Sequence, residues 1–176
     1  MTHDMAAGGG EPEDEDRVTD DELLYYRVLR DRTPPHYQRG EERLQVLAQA
    51  FSQRPVEEGQ PFAGQYRLSV DRARLRGFNP DLTRRADPRL DPAAVGVVCL
   101  PAGEVRAVPG VADILPDPIR DDPDLPDNPA HVLICVAFNP DASKTANKNV
   151  YRDVIRDLAK IVNTQEHPWA IEPADG

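Results

Sequence analysis

The sequence predicts an α+β fold: a central, mostly antiparallel sheet of about four to five strands, flanked by N-terminal helices and a C-terminal amphipathic helix. Three observations carry this. The runs Val95–Leu100 (VGVVCL) and His131–Phe138 (HVLICVAF) are apolar on both faces, as buried central strands are. Val150, Val154, Leu158, Ile161 and Val162 recur at helical spacing, with Tyr151 and Ile155 on the flank. Strand-like segments gather in the middle of the chain and helix-like ones at its ends, which reads as α+β rather than a repeating βαβ unit.

In chain order, residues 1–18 combine Gly, Pro and acids with almost nothing to bury, so a disordered acidic tail is expected. Residues 19–165 then form a single domain, and 166–176 a C-terminal tail. Thr19-Asp20-Asp21-Glu22 has the form of a capping box, with a helix expected through Leu23–Leu29; the same residues are also aromatic and branched enough for a strand. Leu44, Leu47, Ala48 and Phe51 predict a second helix over 41–51. Tyr66, Leu68 and Val70 alternate with Arg67, Ser69 and Asp71, the period of a half-buried strand, and the pattern slips at Asp71, which could cap a short turn. Asn79-Pro80 predicts an N-cap and a short helix through Arg85. After VGVVCL, Pro101-Ala102-Gly103 supplies turn chemistry, Val105, Ala107 and Val108 could return as a hairpin partner, and Val111–Leu115 could add an edge strand. Asp117–Pro129 is a proline-and-aspartate loop. Ser143 is placed to cap the last helix, and Trp169 to pack back on the domain. The two long apolar runs are expected side by side, shielded by that helix.

The chain has 176 residues, and 39% are hydrophobic and 30% charged, the balance of a soluble domain. Eighteen prolines require many loops. Residues 1–22 carry nine acids and one base, a net of −8, so only −2 of the total of −10 belongs to the remainder. The N-terminus has neither the basic region nor the apolar stretch of a signal peptide, and no run approaches a membrane span. Cytoplasmic residence without membrane contact is the expectation.

Candidate sites are sparse. Cys99 and Cys135 lie in apolar runs and read as buried thiols; a disulfide requires their strands to be neighbours. His131, Ser69 and Asp71 hold the chemistry for nucleophilic catalysis if the fold brings them together, and Cys99 with His131 is a further pairing. The segment 67–89 is rich in arginine, with Arg74, Arg76, Arg84 and Arg85 as a candidate nucleic-acid patch. Interleaved acids could consume that charge: residues 23–92 hold 13 bases against nine acids. Asn139–Thr145 precedes a helix, where phosphate loops lie, but lacks their glycines. The aspartates of 117–127 lack the spacing and turn glycine of a calcium loop. No cofactor or metal is expected.

Ala50-Phe51, Leu68-Ser69-Val70-Asp71-Arg72-Ala73, Val95-Gly96-Val97 and Asn128-Pro129-Ala130-His131 form a set. As a set they resemble a loose group of small uncharacterised bacterial cytosolic proteins, over roughly residues 23–163. The resemblance implies a bacterial origin and assigns no site. The leading functional expectation is a non-enzymatic protein-interaction or regulatory accessory module of a bacterial operon, with a protein partner. The alternative is a small enzyme or nucleic-acid-processing or binding factor using His131 and the Arg-rich segment.

Overall fold

A computed structural model describes residues 16–175. The disorder expected of the acidic tail falls, for residues 1–15, outside the described residues. Val18, expected within the tail, is fully buried in the core.

Among the described residues, eight strands and three α-helices follow in order: β1 (Leu23–Leu29), β2 (Tyr37–Arg39), β3 (Leu44–Val46), β4 (Arg67–Arg72), α1 (Pro80–Arg84), β5 (Val95–Pro101), α2 (Ala102–Arg106), β6 (Val111–Pro116), β7 (His131–Val136), α3 (Lys144–Thr164) and β8 (Trp169–Ile171). Six strands form one sheet in the order β6-β7-β4-β1-β5-β8, with every pairing antiparallel. β2 and β3 form a separate hairpin. The α+β class is as the sequence predicts, and the sheet is larger than expected.

The N-terminal helices are replaced by strands. Thr19–Glu22 does close a turn, with Glu22 N–H donating to the Thr19 carbonyl and Thr19 N–H to the Glu22 carboxylate, but no helix follows. As a strand, Leu23–Leu29 sends Leu24, Tyr26 and Val28 into one core and Tyr25 into another, and it pairs on both edges. A lone amphipathic helix would cover one face only, so burial on two faces overrides the capping signal. The helix expected over 41–51 is β3 followed by a 3-10 turn, Ala48–Phe51. Leu44 and Val46 are buried around exposed Gln45, a period of two that competed with the helical reading. Phe51 stacks on Tyr26 with ring centroids 4.6 Å apart.

Further along, Asp71 continues β4 instead of capping a turn. Asn79 caps α1, accepting from Asp81 N–H, as its sequence predicts. The hairpin return expected at Val105–Val108 is helix α2, with Ala102 and Val105 buried at helical spacing; the edge strand expected over Val111–Leu115 is β6, paired with β7. Ser143 caps α3 by accepting from Ala146 N–H. The buried stripe of α3 runs Tyr151, Val154, Ile155, Leu158 and Val162, rotated slightly from the expected one. The segment expected as a C-terminal tail adds β8 along β5. Gly96 permits that approach: a Cβ there would lie 2.7 Å from the Trp169 ring and from Pro173.

The two apolar ribbons, β5 and β7, are not neighbours. They share the sheet, but β4 and β1 lie between them. α3 packs against both, so the expected shielding holds although the adjacency does not.

The sheet therefore has two covered faces. Leu24, Tyr26, Val28, Leu68, Val70, Val98, Leu100, Val132, Ile134 and Val136 point toward α3 in one large apolar core. On the opposite face only Tyr25, Ala73, Val97 and Cys99 cluster as a small second core, beside α1. Beside it the same face carries Arg27, Arg67, Ser69, Asp71 and His131.

Candidate functional site

The polar half of the second face is set by alternation along β4 and β7. Because side chains alternate, Arg67, Ser69 and Asp71 share a face, as do His131, Leu133 and Cys135. Asp71 pairs directly with His131, and Ser69 with Leu133. His131 and Ser69 are therefore diagonal neighbours, about 7–8 Å apart at Cα. Tyr25 lies opposite Asp71 on the other side. The recorded β1–β4 ladder is short, Leu24↔Arg72 and Tyr25↔Asp71. Beyond it, a cavity of about 230 Å³ is walled by Arg27 and Ser69, by Thr83, Asp87 and Arg89 from the 80–90 segment, and by Asn128 and His131.

The trio His131, Ser69 and Asp71 thus meets in one pocket, which the sequence could suggest but not show. It is not wired as a catalytic triad. Asp71 is buried and its carboxylate is committed elsewhere: Oδ1 accepts from Asn128 Nδ2 (2.8 Å), and Oδ2 from Thr83 Oγ1 (2.8 Å) and Arg76 (3.1 Å). His131 Nδ1 lies 2.7 Å from the Asp117 carbonyl oxygen and 3.3 Å from its carboxylate. A carbonyl oxygen only accepts, so Nδ1 carries the proton and Nε2 is the open nitrogen.

The cysteine readings are decided by strand order. Cys99 lies three strands from His131 and from Cys135, about 14 Å at the ordinary strand spacing of about 4.8 Å. That distance rules out both the Cys99–His131 pairing and a disulfide. Both thiols are free and buried, and burial pushes their pKa values up, away from the reactive thiolate.

The arginine patch is largely spent inside the protein. Arg76 pairs with Asp71, Arg84 and Arg85 both pair with Asp81, and Arg89 pairs with Asp87. Arg74 is half exposed and sits 3.6 Å from Glu22. The loop 139–145 is tied down by Asn147, whose Oδ1 accepts from Asn139 N–H and whose Nδ2 donates to the Asn139 carbonyl. An open groove of about 800 Å³ lies beside it, with Tyr66 and Phe138 in its wall. In the aspartate loop, Asp122 and Asp127 accept backbone N–H groups as turn residues. Among the described residues, no three of His, Cys, Asp or Glu are grouped to hold a metal ion, and no helix is long and apolar enough to cross a membrane.

Sequence reasoning missed two features. One is Arg27, read as part of a helix and placed by β1 in the pocket wall. The other is an apolar ridge on the 74–84 segment: Leu75, Phe78 and Leu82 are 40%, 65% and 45% exposed. Phe78 follows left-handed Gly77 and is itself left-handed at φ 55°. The signal available was the Leu-Arg-Gly-Phe-Asn-Pro run, a turn that carries two large apolar residues it has no depth to bury.

No family model, curated protein or solved structure matches the chain.

Proposed function

We propose that this chain is a non-catalytic interaction module, a regulatory accessory subunit that docks a protein partner through the ridge Leu75, Phe78 and Leu82. The observation that carries this reading is Phe78. A non-glycine residue in the left-handed region costs on the order of 1–2 kcal/mol, and an aromatic ring left 65% exposed gains little burial in return. A strained, displayed aromatic flanked by two exposed leucines has the character of an interface anchor. Arg74 and Arg85 lie beside the ridge in sequence and are more than half exposed even while near Glu22 and Asp81, which favours a partner with an apolar cleft edged by acids. The commitment of the Asp71 carboxylate to Arg76, Thr83 and Asn128 supports a binding role over a catalytic one.

A photo-crosslinking residue at Phe78, expressed in the native host, is expected to trap one dominant adduct, absent with the same probe at Arg156. Phe78→Ser should then weaken binding of that isolated partner by about 30-fold, the scale of an interface hot spot. If the adduct is a second copy of this chain, or if Phe78→Ser binds as well as wild type, the reading is overturned.

One observation favours a second reading, a small enzyme. Asp117 orients His131 with Nε2 open, diagonal to Ser69 in one pocket. A fluorophosphonate reagent that labels Ser69 in the wild type but not in His131→Ala would support it. An unlabelled Ser69 ends it.

A further inference from the structure

We infer that the cavity on the second sheet face is a binding site for a small oxyanion, a phosphate or carboxylate group, held by the guanidinium of Arg27. This is independent of the ridge and of any partner that docks there.

Three arginines have a nitrogen that is buried without an acceptor among the described residues: Arg27 Nη1, Arg67 Nε and Arg106 Nε. Such groups are rare in folded proteins and each asks for a physical reason. Arg67 has one, because its guanidinium lies 3.9 Å above the centre of the Phe62 ring. Arg106 has another, because its terminal nitrogens donate to Asp20 and to the Val18 carbonyl. Arg27 has no comparable compensation. Its side chain is half-buried on β1 and lines the cavity; Nη1 itself is closed to a water-sized group, so a ligand reaches it once the guanidinium turns toward the cavity. Asp87 is near enough for the Arg27 charge to help lower its pKa, but Arg89 already holds both carboxylate oxygens: Nε and the backbone N–H on Oδ1 at 2.9 and 3.0 Å, and Nη2 on Oδ2 at 2.9 Å.

Two carboxylates at the cavity are already held by arginines. Asp71 is matched by Arg76, and Asp87 by Arg89. Asp117 meets His131 Nδ1 through its carbonyl oxygen, and its own carboxylate is more than half exposed to solvent. Among the described residues, Arg27 is the arginine of this wall with no ion pair of its own. Asp122 and Asp124 lie on the exposed loop on the Arg89 side, where water and salt screen them, whereas a half-buried guanidinium is screened far less. Neutral donors stand in the same wall: the Ser69 hydroxyl and the Tyr25 phenol, whose pKa is raised by burial and then by nearby Cys99, so that it keeps its proton. A guanidinium fork with hydroxyl donors suits the planar or tetrahedral oxygens of carboxylate and phosphate. A volume of about 230 Å³ is below the range of drug-sized pockets, so the ligand has only a few non-hydrogen atoms besides its anionic head.

The test is a nuclear magnetic resonance titration of the full chain with inorganic phosphate and, separately, acetate, each against sodium chloride at matched ionic strength. Saturable shifts are expected at the Arg27 Nε–Hε signal and at the amides of Ser69, Asp71 and Asp87. Arg27→Met should weaken that response by about 10- to 100-fold, the weight of a charge-assisted hydrogen bond. Arg27→Lys should recover part of it, and Arg156→Met should leave it unchanged. A response to phosphate alone assigns a phosphate-bearing ligand, and a response to acetate alone a carboxylate. The proposal is overturned by non-saturable shifts for both anions, by saturation mapped elsewhere, or by an unaltered response in Arg27→Met. Because the wild-type map is read at Arg27 itself, an unfolded variant would not rescue it.

Discussion

The two faces of the sheet, made by alternate residues of the same strands, carry two arginines with opposite fates. Arg72 ends β4 in register with Leu24, on the side of the α3 core. It is almost fully buried and satisfied: Nε and Nη2 donate to the two Glu22 oxygens at 2.8 Å each, and Nη1 and Nη2 reach the carbonyls of Asp16 and Arg17. Arg27, on the opposite face, has a buried nitrogen with no acceptor. The face that makes the core tolerates a charge only with a full set of partners. The other face keeps donors in reserve. An unmet polar group on the side that is not the core marks a place where the fold gives up stability, which is where a ligand belongs.

Mutation separates the two faces. The largest effect is expected from Arg72→Met, which strands the Glu22 carboxylate inside the protein. A loss of about 3–5 kcal/mol should appear in urea unfolding, and a loss below 1 kcal/mol would mean that the pair is not buried in solution. Next is Leu158→Ala, on the fully buried stripe of α3, with an expected cost of about 2–5 kcal/mol. Asn128→Ala removes one of the donors to Asp71 and should cost about 1–3 kcal/mol, read by the same denaturation curve.

Smaller still is a pH effect. Burial alone would raise the Glu22 pKa, but the hydrogen bonds from Arg72 and from Thr19 N–H, with the charges of Arg72 and Arg74, bring it below the ordinary 4.5. A depressed folded-state pKa stabilises the fold above the unfolded value and is lost as pH falls through the folded one. The urea midpoint should therefore drop as pH falls below about 4.5, and Glu22→Gln should flatten that drop; an unchanged slope would remove Glu22 from the acid response. The smallest change is expected from Arg27→Met. Removing a donor that has no acceptor should alter stability by less than about 1 kcal/mol. If it cost as much as Arg72→Met, the contrast between the faces would be void.

Much of the framework was legible in the residues. β5, β7, the short helix behind Asn79 and the long helix behind Ser143 follow from local pattern, because runs apolar on both sides, proline after a capping residue and a helical stripe each have one good structural solution. The site was half legible: Ser69, Asp71 and His131 were visible as chemistry, and alternation placed Ser69 and Asp71 on one side of β4. Their meeting with His131 required the pairing of β4 with β7, a contact about 60 residues apart in sequence that no local pattern encodes.

By itself, then, the sequence determined the class of the fold, the strands and helices with a single strong period, and the residues with reactive side chains. The tertiary structure decided that Leu23–Leu29 is a strand, that two other strands separate the oily ribbons β5 and β7, and that Arg27 faces a cavity while Arg72 meets Glu22. The physical reason is common to all three. A segment such as LLYYRVL can bury its apolar residues as helix or as strand at similar local cost, and only the partners on both edges of β1 settle which, and with it which side of the sheet each arginine must face.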